Sequence, residues 1–141
     1  MTIRSLGGLL SAYHLSPTVP SSSPSGQFDD LYLQKAIDLG DRLLGAFISP
    51  IKLPYPDINL ADSKGVISKD NHGLLSTAEI ATLQLELKYL SHLTDDDKYW
   101  DAAEHVMEII RGQLTHLSSA LAPVFIRHVV ISFPLVFLGL T

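Results

Sequence analysis

The chain has 141 residues, enough for one ordinary domain with a hydrophobic core. Its net charge is −5 and it has no cluster of lysines and arginines, which argues against nucleic acid or an anionic membrane as a partner. The sequence has no cysteine, which excludes disulfides and thiolate metal sites within it.

The first predicted element is an amphipathic helix over residues 2–15. Its apolar positions recur at helical spacing and are Ile3, Leu6, Leu10 and Tyr13. Gly7 and Gly8 interrupt this helix, where each glycine costs roughly 1 kcal/mol relative to alanine. We therefore expect another backbone or a ligand to approach closely there. Arg4, the one cation of the segment, lies one turn away.

A serine- and proline-rich surface loop is predicted for residues 16–27. A second helix follows, beginning near Asp29 and Asp30 and ended by Pro50. It carries the cleanest amphipathic pattern in the chain. The apolar face of this helix consists of Leu33, Ala36, Ile37, Gly40, Leu43, Leu44 and Phe47.

Residues 51–75 are irregular, with a brief strand or β-hairpin predicted and a turn at 70–73. A capping box formed by Ser76 and Glu79 predicts the start of a third helix that runs to Leu93. A fourth helix is predicted to begin in the segment 94–97, in which the acidic residues cap the helix, and to end near Gly112. The short connection predicts an antiparallel αα-hairpin.

The C-terminal part has weaker patterns. Residues 120–126 are compatible with a strand, and residues 127–141 are apolar without helical period. The apolar run 129–140 is shorter than the roughly 20 residues that span a bilayer. The N-terminus lacks the basic-then-apolar run of a signal peptide, so no targeting signal is expected in this chain.

Five segments resemble, in order and at reasonable spacing, the motifs of class I α-1,2-mannosidases (glycoside hydrolase family 47). They are 2–13, 32–47, 53–60, 78–86 and 120–126. The resemblance implies an all-α chain of two antiparallel αα-hairpins, with a short β-hairpin around 51–75. These hairpins would form part of a barrel of the seven-hairpin (α/α) toroid type. Residues 1–126 would be a partial catalytic domain and residues 127–141 a non-matching apolar tail.

The resemblance also implies a function, namely trimming of α-1,2-linked mannose from N-glycans of the high-mannose type, with inversion and with calcium. It implies the lumen of the endoplasmic reticulum or Golgi as location. In the family a catalytic glutamate stands just before the first motif, which here would precede Met1. The other catalytic carboxylates and the calcium-contacting threonine lie later in the family's chain than the matching segments. The resemblance therefore implies no catalytic residue and no metal ligand in this chain, and no activity of the chain alone. The rest of the barrel would be needed to cover its apolar faces.

Three residues are expected from the resemblance to bind substrate: Arg4, Glu79 and Glu86. A structural ion pair is the alternative for Arg4, and the acid of the capping box is the alternative for Glu79. The two glutamates are seven residues apart, which predicts one helix face with Cα atoms roughly 10 Å apart. Both would lie on one wall, which disfavours an acid/base pair across a sugar.

Two functions of other classes remain open. One is a non-catalytic helical module that binds glycans or glycoproteins in quality control, and the other is a helical interaction protein whose exposed faces recruit a partner. Turnover of α-1,2-mannobiose with calcium separates these from an enzyme. The six histidines are expected to be surface or satisfied side chains, and Trp100 is expected to pack in the core or within the helix pair.

Overall fold

The structure is a computed structural model that describes residues 2–18, 27–67, 74–115 and 122–127. The helices in this part of the chain are α1 (Thr2–Leu15), α2 (Gln27–Leu44), α3 (Thr77–Ala81), α4 (Gln84–Thr94) and α5 (Asp97–Thr115). The strands are β1 (Asp57–Asn59), β2 (Lys64–Val66), β3 (Leu74–Ser76) and β4 (Phe125–Arg127). The predicted mostly helical class is confirmed. None of the helices in the described ranges is long and apolar enough to cross a bilayer.

The helices pack as two neighbouring pairs, α1 on α2 and α4 on α5. The connection between α4 and α5 consists of Asp95 and Asp96 only. Asp95 adopts a left-handed conformation with φ 53°, and the Asp96 carboxylate accepts a hydrogen bond of 3.1 Å from the backbone N–H of Lys98. The acidic segment thus ends one helix and caps the next, as predicted. Closure of these pairs into a barrel stays a prediction.

The prediction of a single helix from Ser76 to Leu93 is wrong, because residues 82–83 interrupt the helix and divide it into α3 and α4. The Ser76 hydroxyl does cap α3 by accepting the N–H of Glu79 at 3.4 Å. The Thr82 hydroxyl then donates to the carbonyl of Glu79 at 3.1 Å. Such local side-chain bonds compete with the helix ladder. The ends of other helices also shift, since α2 gives way at Leu44 to a 3₁₀ turn.

The strands form two antiparallel pairs. β1 pairs with β2 in the register Asp57 to Val66, inside the stretch where a β-hairpin was predicted. β3 pairs with β4 in the register Leu75 to Ile126, so the strand predicted at 120–126 exists at the end of that range. The Thr77 hydroxyl reinforces this second pair by donating to the carbonyl of Pro123 at 2.5 Å. The turn predicted at 70–73 lies outside the described residues.

The described residues bury their apolar side chains in two clusters. The first joins α1, α2, α4 and α5 and contains Leu6, Leu10, Ala36, Leu43, Leu87, Leu90, Tyr99 and Ala103. The second lies beneath the strands and contains Leu53, Leu75, Ile80, Val106, Ile110 and Ile126. Apolar side chains also remain exposed, as predicted, among them Ile48, Leu85, Val124 and Phe125. The helix pairs therefore share a core and still present apolar surface.

A polar network ties α2 to the start of α5. The hydroxyl of the buried Tyr99 donates to the Asp41 carboxylate at 2.6 Å, and the Lys98 ammonium lies 2.8 Å from the same oxygen. Desolvation works to raise the pKa of Asp41, but the hydrogen bonds from Lys98 and Tyr99 outweigh it and hold that pKa below its usual value. Burial and the bond to Asp41 raise the pKa of Tyr99 to about 12.

Acid should weaken this network, and replacing Asp41 by asparagine should remove part of the acid sensitivity. The pKa of Asp41 is lower in the folded state than in the unfolded state, so its ionised carboxylate stabilises the fold at pH values above the unfolded-state pKa of about 4. This stabilisation is lost as pH falls through the folded-state pKa. We expect the wild-type unfolding midpoint to fall between pH 5 and pH 2 (about the range of these pKa values) more steeply than that of Asp41→Asn. Urea titrations followed by circular dichroism measure this, and equal slopes would contradict it.

Candidate functional site

The three residues predicted to bind substrate lie around α1 and the two helices that follow β3. Arg4 is exposed on α1 and forms no hydrogen bond or ion pair with any residue of the described ranges. Glu79 is exposed in the first turn of α3, where it lines a cavity of 210 Å³ together with Ile3. Arg4 follows Ile3 in the chain but is not among the residues that line this cavity.

Glu86 differs from the other two because it is buried. It lies on α4 and only 8% of its surface is exposed. A Cβ atom added to Gly7 would come within 3.3 Å of Glu86 Oε1, so the absence of a side chain on residue 7 lets the carboxylate approach α1. The close approach predicted for the glycine pair is thus found at Gly7, whereas a Cβ on Gly8 would meet no described atom within 4 Å.

The second oxygen of Glu86 is an unusual feature of this site. Oε2 is buried and has no hydrogen-bond partner among the described residues. A buried polar atom without a partner costs free energy, roughly 1–3 kcal/mol and more for a charged group. The arrangement leaves one buried acceptor free for a donor that is not part of the described residues.

A cleft of 410 Å³ between α1 and α4 borders Glu86. Gly7, Ser11 and His14 of α1 and Leu85 and Tyr89 of α4 are among its lining residues. His14 Nδ1 and the Tyr89 hydroxyl are 2.7 Å apart and their rings meet edge to face, which fixes one end of the cleft. Sequence reasoning missed Tyr89, although it lies three residues after Glu86 and so on the same helix face.

The expected pairing of Glu79 and Glu86 on one helix face is not what the structure shows. The break at residues 82–83 places them on separate helices, with Glu79 exposed and Glu86 buried. They border different cavities. Their roles as substrate-binding residues stay predictions. The two carboxylates do not line a shared cavity, so the structure does not arrange them as an acid/base pair on either side of one sugar.

The described residues do not fit a calcium site. Calcium takes six to eight oxygen ligands (about this number in proteins), and no three His, Asp or Glu side chains in the described ranges come together to hold a metal ion. Two histidines are satisfied as expected, His14 by Tyr89 and His105 by the carbonyl of Ile51 at 3.3 Å. His72, His116 and His128 lie outside the described residues.

Comparison with known proteins gives one family. Residues 1–133 match the model of "Glycosyl hydrolase family 47". A mannosyl-oligosaccharide 1,2-alpha-mannosidase of Candida albicans is 43% identical over 126 residues, which are 89% of this chain and 20% of that protein. The endoplasmic reticulum mannosyl-oligosaccharide 1,2-alpha-mannosidase of Schizosaccharomyces pombe is 43% identical over 126 residues, and that of Homo sapiens is 44% identical over 127.

The matched regions are a small part of each relative. They cover 89% of this chain in both cases but only 22% of the Schizosaccharomyces pombe protein and 16% of the human protein. The chain therefore spans about a fifth of the length of the relatives that it matches. The family match reaches residue 133, and the domain boundary expected at residue 126 stays a prediction.

Proposed function

Because the chain belongs to glycosyl hydrolase family 47, we propose that it forms part of a glycosidase that removes α-1,2-linked mannose from high-mannose N-glycans of glycoproteins. In this proposal the helices α1 to α5 form part of an (α/α) barrel. The remaining helical hairpins of the complete barrel cover exposed apolar side chains such as Leu85 and Val124. The name of two relatives supports the lumen of the endoplasmic reticulum as the place of action.

The observation that carries this proposal is the set of unsatisfied polar groups beside α1. A sugar offers hydroxyl groups that donate and accept hydrogen bonds. The unpartnered Oε2 of Glu86 needs a donor, and the exposed guanidinium of Arg4 offers five N–H donors. Glu79, at the cavity that Ile3 also lines, adds a second acceptor. We assign these three side chains to substrate binding.

The acid and base of the hydrolysis reaction are not assigned to these three side chains. Inversion needs an acid that protonates the leaving oxygen and a base that activates water on the opposite face of the sugar. Glu79 and Glu86 border different cavities and are not proposed to form this pair. Calcium is proposed for the complete catalytic domain and is held by residues outside this chain. The chain alone is therefore proposed to be catalytically incomplete.

A chimaera tests the proposed function. The matching segment of the Candida albicans relative is replaced by residues 2–126 of this chain, and hydrolysis of α-1,2-mannobiose is measured with calcium. We expect the chimaera to keep kcat/KM within about tenfold of the parent, because 43% identity over the segment implies the same fold. A folded chimaera without turnover would refute the proposal.

The assigned residues are tested in the same chimaera. Arg4→Ala and Glu86→Gln should each lower kcat/KM by at least about tenfold, since each removes a charged hydrogen-bonding partner of the sugar. Lys35→Ala is the matched control, because Lys35 is an exposed cation on α2 that lines neither cleft, and it should leave kcat/KM unchanged. The isolated chain should not hydrolyse the sugar. Glycan binding that survives while every chimaera is inactive would favour the non-catalytic glycan-binding module instead.

A further inference from the structure

The carboxylate of Glu79 is carried by α3, the shortest α-helix of the described residues. This helix consists of five residues, Thr77–Ala81, and Glu79 is its one acid. Isolated helices shorter than roughly 12–15 residues are marginal in water. Contacts with neighbouring segments and local side-chain bonds therefore decide where α3 lies and where the carboxylate of Glu79 points.

The start of α3 is fastened to the segment that leads into β4. The backbone N–H of Thr77 donates to the carbonyl of Val124 at 3.0 Å, and the Thr77 hydroxyl donates to the carbonyl of Pro123. Ile80 packs in the cluster beneath the strands, whereas Leu87 of α4 packs in the cluster that joins the longer helices. α3 is therefore held with the strands, and the break between α3 and α4 lies where the chain passes from one cluster to the other.

Two hydroxyl groups hold the backbone of Glu79 itself. The N–H of Glu79 donates to the hydroxyl oxygen of Ser76 at 3.4 Å, and its carbonyl accepts the hydroxyl of Thr82 at 3.1 Å. The backbone N–H of Thr82 in turn donates to the carbonyl of Ala78 at 3.1 Å, which places its hydroxyl next to the last turn of α3. Both backbone polar groups of Glu79 are thus bonded to side chains, which fixes the position from which its carboxylate extends.

The break after α3 also decides which cavity the carboxylate of Glu79 borders. In an uninterrupted helix Glu79 and Glu86, which are seven residues apart, would share one face. In the structure Glu86 borders the cleft between α1 and α4, and Glu79 borders the cavity of 210 Å³ that Ile3 also lines. Thr82 is exposed and lines that second cavity too. The hydroxyl that bonds to the backbone of Glu79 therefore lies at the same cavity as its carboxylate.

We propose that Thr82 is a positioning residue for substrate binding, because its hydroxyl holds the backbone of Glu79 and so orders the Glu79 carboxylate before the sugar binds. This role of Thr82 rests on the proposed function, in which Glu79 accepts a hydrogen bond from a sugar hydroxyl. An acid that is already held in place loses less conformational freedom on binding, so removal of the Thr82 hydroxyl weakens the affinity for substrate. Thr82 acts through Glu79 and takes no part in the bond-breaking step.

Thr82→Val in the chimaera with the Candida albicans relative tests this role. We expect KM for α-1,2-mannobiose to rise at least about fivefold while kcat stays within about twofold, because a contact made in both the ground state and the transition state is weakened. Thr82→Ala should act like Thr82→Val, and Thr82→Ser, which keeps the hydroxyl, should leave KM within about twofold of the unsubstituted chimaera. Thr94→Val is the matched control, because the Thr94 hydroxyl donates to the carbonyl of Leu90 at 2.8 Å but Thr94 lines neither cavity.

A double-mutant cycle separates positioning from a general loss of stability. Glu79→Ala leaves the acid and base of the reaction in place, so its turnover stays measurable. In that background Thr82→Val should change KM by less than about twofold, because Thr82 acts only through the missing carboxylate. An equal rise of KM in both backgrounds, or no effect of Thr82→Val in an active chimaera, would overturn the role of Thr82 and leave the proposed function standing. A folded chimaera without turnover would refute both together.

Discussion

Tyr99→Ala is expected to lower the free energy of unfolding by roughly 3–5 kcal/mol. Tyr99 is completely buried and belongs to the cluster that joins α1, α2, α4 and α5, so its removal leaves a cavity at the centre of the described core. Its hydroxyl also donates to Asp41, and that bond is lost too. Because domains are stable by only about 5–15 kcal/mol, this one change should leave the chain close to its unfolding limit at 25 °C.

Tyr99→Phe separates the two contributions. The ring stays, so we expect a loss of only about 1.5 kcal/mol, the lower value for a hydrogen bond to a charged group, since Asp41 keeps Lys98. The raised pKa of Tyr99, about 12, means that its contribution is present below pH 10 (about its unfolded-state pKa) and is lost as pH rises through 12. Urea unfolding at pH 7 and pH 11 measures both effects. A Tyr99→Ala variant as stable as Tyr99→Phe would contradict the packing argument.

Gly40→Val is expected to destabilise the chain by about 3 kcal/mol, at the upper end for overpacked cores. A Cβ at position 40 would overlap the side chain of Leu90 and lie 3.1 Å from Cε1 of Tyr99. Both neighbours are fully buried, so neither can move aside without opening the contact between α2 and α4. The glycine is required here by the close approach of the two helices.

Gly8→Ala is the matched control for Gly40→Val, because it adds a methyl group to a helix glycine that meets no described atom within 4 Å. It should raise the free energy of unfolding by up to about 1 kcal/mol through helix propensity alone. Thermal and urea unfolding of the two variants compare them. A stable Gly40→Val, or a strongly destabilised Gly8→Ala, would show that the helix contacts differ from those described.

The sequence was sufficient to predict features that depend on local periodicity. α1, α2 and α5 were predicted from apolar spacing, and the cap at Ser76 from its relation to Glu79. The break at residues 82–83 was missed, because Leu83 and Leu87 continue the helical spacing through it. Periodicity reports which face is apolar and does not report a competing hydroxyl bond such as that of Thr82.

The sequence proposes residues for the candidate site, and their roles stay predictions, but it does not predict the environment of these residues. The motifs indicated Arg4, Glu79 and Glu86, but only the approach of α4 to α1 shows that Glu86 is buried against Gly7. Trp100 likewise fits the apolar spacing of α5 and nevertheless lies at the surface over Lys88. These facts depend on contacts between distant segments, which no short window of sequence contains.

The pairing of β3 with β4 has a consequence for the order in which the chain can assemble. It joins residues 74–76 to residues 125–127 and so closes a loop that contains α3, α4 and α5. On the ribosome, β3 emerges long before its partner strand has been made. β3 therefore stays without its partner strand while α3, α4 and α5 are made. The entropic cost of pairing β3 with β4 is smallest if these three helices have already folded, because the effective length of the loop between the strands is then shorter.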